Sequence, residues 1–164
     1  AKLKLVQTGG SSGSIVPASL QDTPLDFESW RKAGVSLGSG ALLICDEHTC
    51  VVDLAKTILN FFHYECCAKC VPCRTGTHRM YEIMHEISIG KGTFESLTEM
   101  QSLGLDMEIL SNCGLGQTAS VAVRDILKHF RAEVEEHIRD GVCRAGVCKL
   151  TATQPIVEKE AVVA

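Results

Sequence analysis

The sequence predicts an α+β chain, a four-helix bundle preceded by a small, partial β unit. Two changes of pattern and one outlier carry that expectation. Six of the fourteen glycines fall before position 46 and cut that stretch into short runs. From Asp46 onward apolar residues recur every three or four positions, the period of a helix buried on one face. The outlier is cysteine, with nine residues in 164 at positions 45, 50, 66, 67, 70, 73, 113, 143 and 148.

Lys2 to Gln7 alternates polar and apolar like a half-buried strand, and Gly9-Gly10-Ser11-Ser12-Gly13 follows as a loop. No helix and no Gly-Lys-Ser/Thr pattern comes after that loop, so it reads as a β-turn rather than a phosphate cradle. Ala41 to Cys45 is a second strand, in which Cys45 is a small buried hydrophobe. Pro17, Asp22, Pro24 and Gly34 punctuate the segment between them. Two or three strands rarely hold together alone, so the unit reads as incomplete.

Val51, Val52, Leu54, Ala55, Ile58, Leu59 and Phe62 predict the first helix, with Thr49 or Asp46 as N-cap. The second runs from Thr77 to Ile89, with Met80, Ile83, Met84 and Ile87 on one face. Gly90 and Gly92 end it. The third runs from Thr93 to Leu110, weakened in its middle by Gly104. The fourth is capped by Thr118 and carries Val121, Val123, Ile126, Leu127, Phe130, Val134 and Ile138. The four methionines belong to this core. The boundaries are then 1–46 for the β unit, 47–140 for the bundle and 141–164 for a cysteine-containing tail.

Composition excludes several classes. The net charge is −4, whereas a nucleic-acid surface needs a basic excess. No apolar run approaches the ~18 residues of a membrane span, and no signal peptide opens at Ala1, which reads as the start of a trimmed piece. A cytoplasmic protein without membrane insertion is expected. In that setting clustered cysteines bind metal rather than form disulfides.

Cys67, Cys70 and Cys73 stand in C-x2-C-x2-C spacing, which lets one tight loop present three thiolates to adjacent irons of a cubane cluster. Zinc normally takes ligands in C-x2-C pairs and is the competing reading. Position 77 is Thr, so a fourth thiolate arrives from a distance. Cys113 is the candidate, in a glycine-rich loop between helices. Cys66 adjoins Cys67 and reads as a non-ligand. His48, His63, His78, His85 and His129 show no ligand spacing and read as surface residues. Lys69 and Arg74 flank the loop as solvated charges.

These residues resemble a known family. Glu65 to Gly76, Cys113-Gly-Leu-Gly116, His129-Phe130-Arg131 and Glu136-His137-Ile138 are similar to the C-terminal part of NADH-binding flavoprotein subunits. Such subunits belong to respiratory complex I, NAD-linked and electron-bifurcating hydrogenases, and NAD-linked formate dehydrogenases. Gln7 to Ser12, Pro17 to Leu20, Gly38 to Gly40, Asp46-Glu47 and Val52-Asp53 resemble the end of that family's soluble ligand-binding β-grasp (SLBB) domain. The resemblance implies a 4Fe–4S cluster on Cys67, Cys70, Cys73 and Cys113. It implies one-electron exchange between FMN reduced by NADH and other redox subunits. Cys66 and Ala68 stand where family members commonly have Ser and Gly. The family's FMN- and NADH-binding domain has no counterpart in this sequence, so the chain is expected to be a component of an NAD(P)H-dependent oxidoreductase and not to oxidise NADH alone.

Cys143-Arg-Ala-Gly-Val-Cys148 resembles the tail of the hydrogenase-type members. Two thiols at this spacing clamp one metal, with Gly146 supplying the turn. His137 and Cys50 would complete a Cys3His zinc site that pins the tail to the bundle, the alternative being separate reduced thiols. The competing function is a non-redox, zinc-stabilised docking module.

Overall fold

The computed structural model describes residues 1–150. Its element order is β1 (Leu3–Thr8), β2 (Ile15–Pro17), a one-turn 3-10 helix, α1 (Phe27–Lys32), β3 (Leu42–Asp46), α2 (Val51–Glu65), α3 (Val71–Ser88), α4 (Phe94–Leu110), α5 (Gly114–Thr118), α6 (Val121–His129) and α7 (Arg131–Arg139). The strands form one antiparallel sheet in the order β2-β1-β3, with Val6 opposite Val16 on one side and Ile44 on the other. The α+β class expected from the sequence is the class observed.

Leu5 and Ile15 lie in the same apolar cluster as the inner faces of α2, α3, α4 and α6. The sheet is tied to the helices by polar contacts as well. The amide of Ile15 donates to the Asp125 carboxylate of α6 at 2.9 Å, and burial pushes that carboxyl above its ordinary range, against the pull of this bond. The register of β1 against β3 slips between Leu3 and Leu5. Such a bulge re-aims the extra residue, and here it is Lys4, whose ammonium reaches Glu133 of α7 at 2.7 Å.

The helical periods hold over α2, where Val51, Val52, Ala55, Ile58, Leu59 and Phe62 are buried, and over α3 and α4. All four methionines are buried in the core. Other details differ. Neither Thr49 nor Asp46 caps α2. Cys50 occupies the N-cap without a side-chain bond, and the Glu133 carboxylate accepts the Val51 amide at 3.2 Å instead. Helix α3 starts six residues before the expected Thr77. Pro72 suits a first helical turn, where its missing N–H is no loss, and Gly76 is required inside the helix because a Cβ there would lie 2.3 Å from Met107 Sδ. Gly104 lets α4 approach the turn before α6, with Ser120 Cβ 3.0 Å from where its own Cβ would stand.

The expected fourth helix is two, α6 and α7, and the glycine-rich loop expected before it holds the short helix α5. Thr118 ends α5, its hydroxyl bonded to the Gly114 carbonyl at 2.7 Å, and does not cap α6. The chain then turns at Phe130, with φ −129° and ψ 22°. No Pro or Gly sits between 121 and 139, so the turn is a tertiary effect. It aims Glu133 and His137 at the start of α2. Strand β2 and helix α1 add to the two strands and four helices expected. Helix α1 is capped by Asp26, which accepts the Ser29 amide at 2.8 Å and anchors a helix whose buried residue is Trp30.

Glu133→Ala removes a mostly buried carboxylate that holds both the Val51 amide and Lys4. The loss is expected to destabilise the chain by about 2 kcal/mol, the scale of a broken partly buried charged hydrogen bond. A lower urea midpoint at unchanged m-value would show it, while an unchanged midpoint would show that water replaces the carboxylate.

Candidate metal centres

Two sulfur-rich centres stand out. The first lies where the turn between α2 and α3 meets the segment between α4 and α5. Helix α2 ends at Cys66, and the chain reverses through Ala68, whose φ of +59° lies in the left-handed region. Cys70 is then the N-cap of α3 and Cys73 sits in its first turn. The triplet is therefore part loop and part helix, not wholly the loop the spacing suggests. This arrangement turns the positive end of an 18-residue helix toward thiols that carry negative charge when they bind metal.

Cys113 belongs to the opposite wall. It is the N-cap of α5, and the segment around it presses on α3. A Cβ at Gly116 would stand 2.9 Å from Cys73 Cβ and 2.5 Å from Ser111 Oγ. The backbone amide of Asn112 draws the Cys70 thiol below its ordinary range. Burial pushes the Cys73 thiol up to about 12, and the negative sulfurs of Cys66, Cys70 and Cys113 add to the rise. Cys67 and Cys113 are exposed, Cys70 is half-buried and Cys73 is buried. The approach of Cys113 to the triplet is legible in the sequence. Two neighbours are not. The Cys66 Sγ lies 3.4 Å from Cys73 Sγ, and the buried Ser111 hydroxyl has no hydrogen-bond partner among the described residues.

The second centre is Cys50, His137, Cys143 and Cys148, whose ligand atoms all lie within 4.8 Å of one another. Cys50 Sγ stands 3.3 Å from His137 Nε2 and 3.6 Å from Cys148 Sγ. Thiolates around a tetrahedral zinc with 2.3 Å bonds are separated by about 3.8 Å, so one ion fits. His137 Nδ1 is 2.7 Å from the Glu133 carbonyl and donates to it, leaving Nε2 for the metal, the usual orientation of a ligating imidazole. Gly146 has φ +68°, and its amide bonds the Cys143 carbonyl at 3.0 Å, closing the turn between the two tail cysteines. Arg144 adds an ion pair to Glu136 at 2.7 Å.

The four groups perturb one another. A hydrogen bond from Cys148 chiefly lowers the Cys50 thiol, to about 4, against burial and with help from His137. Burial alone would lower the His137 ring, but the Cys50 sulfur and the Glu133 carbonyl raise it to about 9. Thiol and imidazole protons compete with a metal for these ligand atoms, which makes affinity fall as pH drops.

Among the described residues, this quartet is the one group of three or more Cys, His, Asp or Glu whose ligand atoms converge so tightly. The histidines expected at the surface are exposed, and His63 lies over His78 with ring centroids 4.8 Å apart. Lys69 and Arg74 are exposed as expected.

Fold and sites together define a small α+β module with two sulfur-rich centres. The chain belongs to the family described as the NADH-ubiquinone oxidoreductase-F iron–sulfur binding region, which it matches over residues 53–137. It is 39% identical over 153 residues to the NADP-reducing hydrogenase subunit HndC of Solidesulfovibrio fructosivorans, covering 93% of this chain and 31% of that one. It is 37% identical over 142 residues to an F-type NADH-quinone oxidoreductase subunit of Rhizobium meliloti, covering 87% and 34% respectively. A crystal structure of an NAD+-reducing nickel–iron hydrogenase in the H2-reduced state superposes with a TM-score of 0.76 at 30% identity, over 84% of this chain and 24% of that one. The chain thus spans about a third of the length of the curated relatives it matches. No helix among the described residues is long and apolar enough to cross a membrane.

Gly116→Ala places a methyl group against Cys73 Cβ and Ser111 and forces the Cys113 segment outward. The expected cost is about 1–3 kcal/mol of overpacking, with lower iron and sulfide content in anaerobically purified chain. Unchanged content would show that the two walls need not touch.

Proposed function

We propose that this chain is the one-electron relay segment of a multi-subunit NAD-linked oxidoreductase, with a 4Fe–4S cluster held by Cys67, Cys70, Cys73 and Cys113. The observation that supports this reading is the close packing of Gly116, three residues after Cys113, on Cys73. A bound cluster of this kind accepts and releases single electrons. The protein's part is to set charge and access around it. The α3 N-terminus and the Asn112 amide face the sulfurs, and hydrogen bonds to sulfur shift a cluster's potential. The partnerless Ser111 hydroxyl, beside Cys73, is a further donor for the same purpose. Cys73 and Gly116 are buried on the inner side, while exposed Cys67 and Cys113 keep the outer side close to a docked partner.

The names of the relatives support partners of the same type, the redox subunits of a hydrogenase or NADH-quinone oxidoreductase assembly; a formate dehydrogenase assembly and a cytoplasmic location are part of the same proposal. Flavin and nicotinamide would be bound outside the residues described. Residues 1–46 form the partial SLBB-like β unit, 47–140 the cluster-binding bundle and 141–164 the tail, of which 151–164 lie outside the described residues.

The Cys50, His137, Cys143 and Cys148 quartet supports a structural zinc as a second cofactor, since all four protein ligands of a closed tetrahedral site are supplied. Its role is to fasten the tail to the start of α2. Zinc alone, with no cluster, would make the chain a docking module instead.

Anaerobic purification followed by metal analysis and EPR of the dithionite-reduced chain separates the two. The relay reading expects about four iron and four sulfide per chain with absorption near ~400 nm, as a cubane requires. Equimolar zinc without iron or colour would overturn it. Cys113→Ser is expected to remove the cubane EPR signal and leave zinc in place. Cys143→Ser is expected to do the reverse, lowering zinc from about one equivalent while iron is retained, and unchanged zinc would refute the zinc assignment.

A further inference from the structure

Cys66 is a fifth thiol at a centre whose proposed cluster uses four, and two independent features hold it there. Its Sγ lies 3.4 Å from the Sγ of Cys73, which is van der Waals contact between sulfurs. The Ala68 amide, carried back by the left-handed turn at that residue, donates to the same Cys66 sulfur at 3.4 Å. Cys66 is half-buried and open to small molecules on one side, whereas Cys73 is 4% exposed. A disulfide needs the sulfurs at about 2.05 Å, so closure asks for side-chain movements of little more than an ångström.

We propose that Cys66 and Cys73 form a disulfide when the cluster is lost, so that this turn is a reversible redox lock on cluster loading. The proposal rests on the ligand assignment above in one respect: Cys73 cannot bind iron and Cys66 at once, so cluster and disulfide compete for one sulfur. The oxidant is a low-molecular-weight disulfide, RSSR. The more accessible Cys66 thiolate attacks one sulfur of RSSR, forming a Cys66–SR bond and releasing RS⁻. The Cys73 thiol, no longer facing a negative Cys66 sulfur, gives up its proton and attacks the Cys66 sulfur, forming the protein disulfide and releasing the second RS⁻. Two protein thiols lose two protons and two electrons, and RSSR gains them as two RSH. The lock also keeps the buried sulfur of Cys73 off the irreversible part of the oxidation ladder until a dithiol reopens it.

The test uses the full chain in two anaerobic forms, cluster-loaded and stripped of iron by chelation, each incubated with oxidised glutathione, alkylated and digested with trypsin. Cleavage after Lys69 and Arg74 puts Cys66 and Cys73 on separate peptides, so a bond between them appears as a linked pair that fragmentation assigns. The stripped wild type is expected to give the Cys66–Cys73 pair in most chains, and the loaded form none over the same interval. Stripped Cys66→Ser is expected to give no linked pair and to accept iron and sulfide directly, while oxidised wild type accepts them only after dithiothreitol. Cys66→Ala, checked for helix content by circular dichroism, guards against a folding artefact of the first variant. Links through Cys67 or Cys70, glutathione adducts without a protein disulfide, or equal linkage in Cys66→Ser would each overturn the proposal. A Cys66–Cys73 bond in a chain that never takes up iron would sink the relay reading and leave the pair standing.

Discussion

Everything at the cysteine-rich end depends on two backbones being allowed to approach within a side chain's width. Gly116 has no Cβ, and the first turn of α3 fills the space where one would be, with Cys73 Cβ 2.9 Å away. Gly76 does the same one turn further along α3, where Met107 of α4 takes the vacant volume. These two glycines remove the standoff that ordinary side chains would impose between helices. As a result, a cysteine forty positions downstream of the triplet shares its electrostatic environment.

The other end of the bundle is organised by α7. Its break from α6 at Phe130 has no local cause in the sequence, yet it brings two residues of one helical face to α2. Glu133 satisfies the first amide of α2 and pairs with Lys4 from the sheet. His137, one turn on, meets Cys50. A single turn of helix therefore joins the β unit, the bundle and the tail, and the Glu133 carbonyl fixes which nitrogen of His137 faces the thiols. A metal in this quartet would act on all three segments at once.

Much of this is legible in the sequence because it is local. Apolar period marks the buried faces of α2, α3 and α4, and C-x2-C-x2-C marks the triplet. The pairing of Cys50 and His137 with Cys143 and Cys148 follows from the number of ligands a tetrahedral ion needs. What the sequence hides is tertiary. Gly76 reads as lying before a helix because its packing against Met107 has no sequence signal. Thr118 reads as a cap because the short α5 precedes α6 without a period of its own. Strand β2 is three residues long, and α1 buries chiefly Trp30, too little for a period to register. Adjacent cysteines rarely serve one iron, so Cys66 reads as a non-ligand, and that reasoning about ligation is silent on its contact with Cys73.

The central claim is that four thiols from two walls enclose several irons, while a separate quartet encloses one ion of another metal. X-ray absorption at the iron and zinc edges of the anaerobically prepared full chain reads both environments directly. The account predicts a sulfur-only first shell around iron with an iron–iron shell behind it, and a mixed sulfur and nitrogen shell around zinc with no metal neighbour. Iron spectra without metal–metal scattering, or zinc surrounded by four sulfurs, would contradict it.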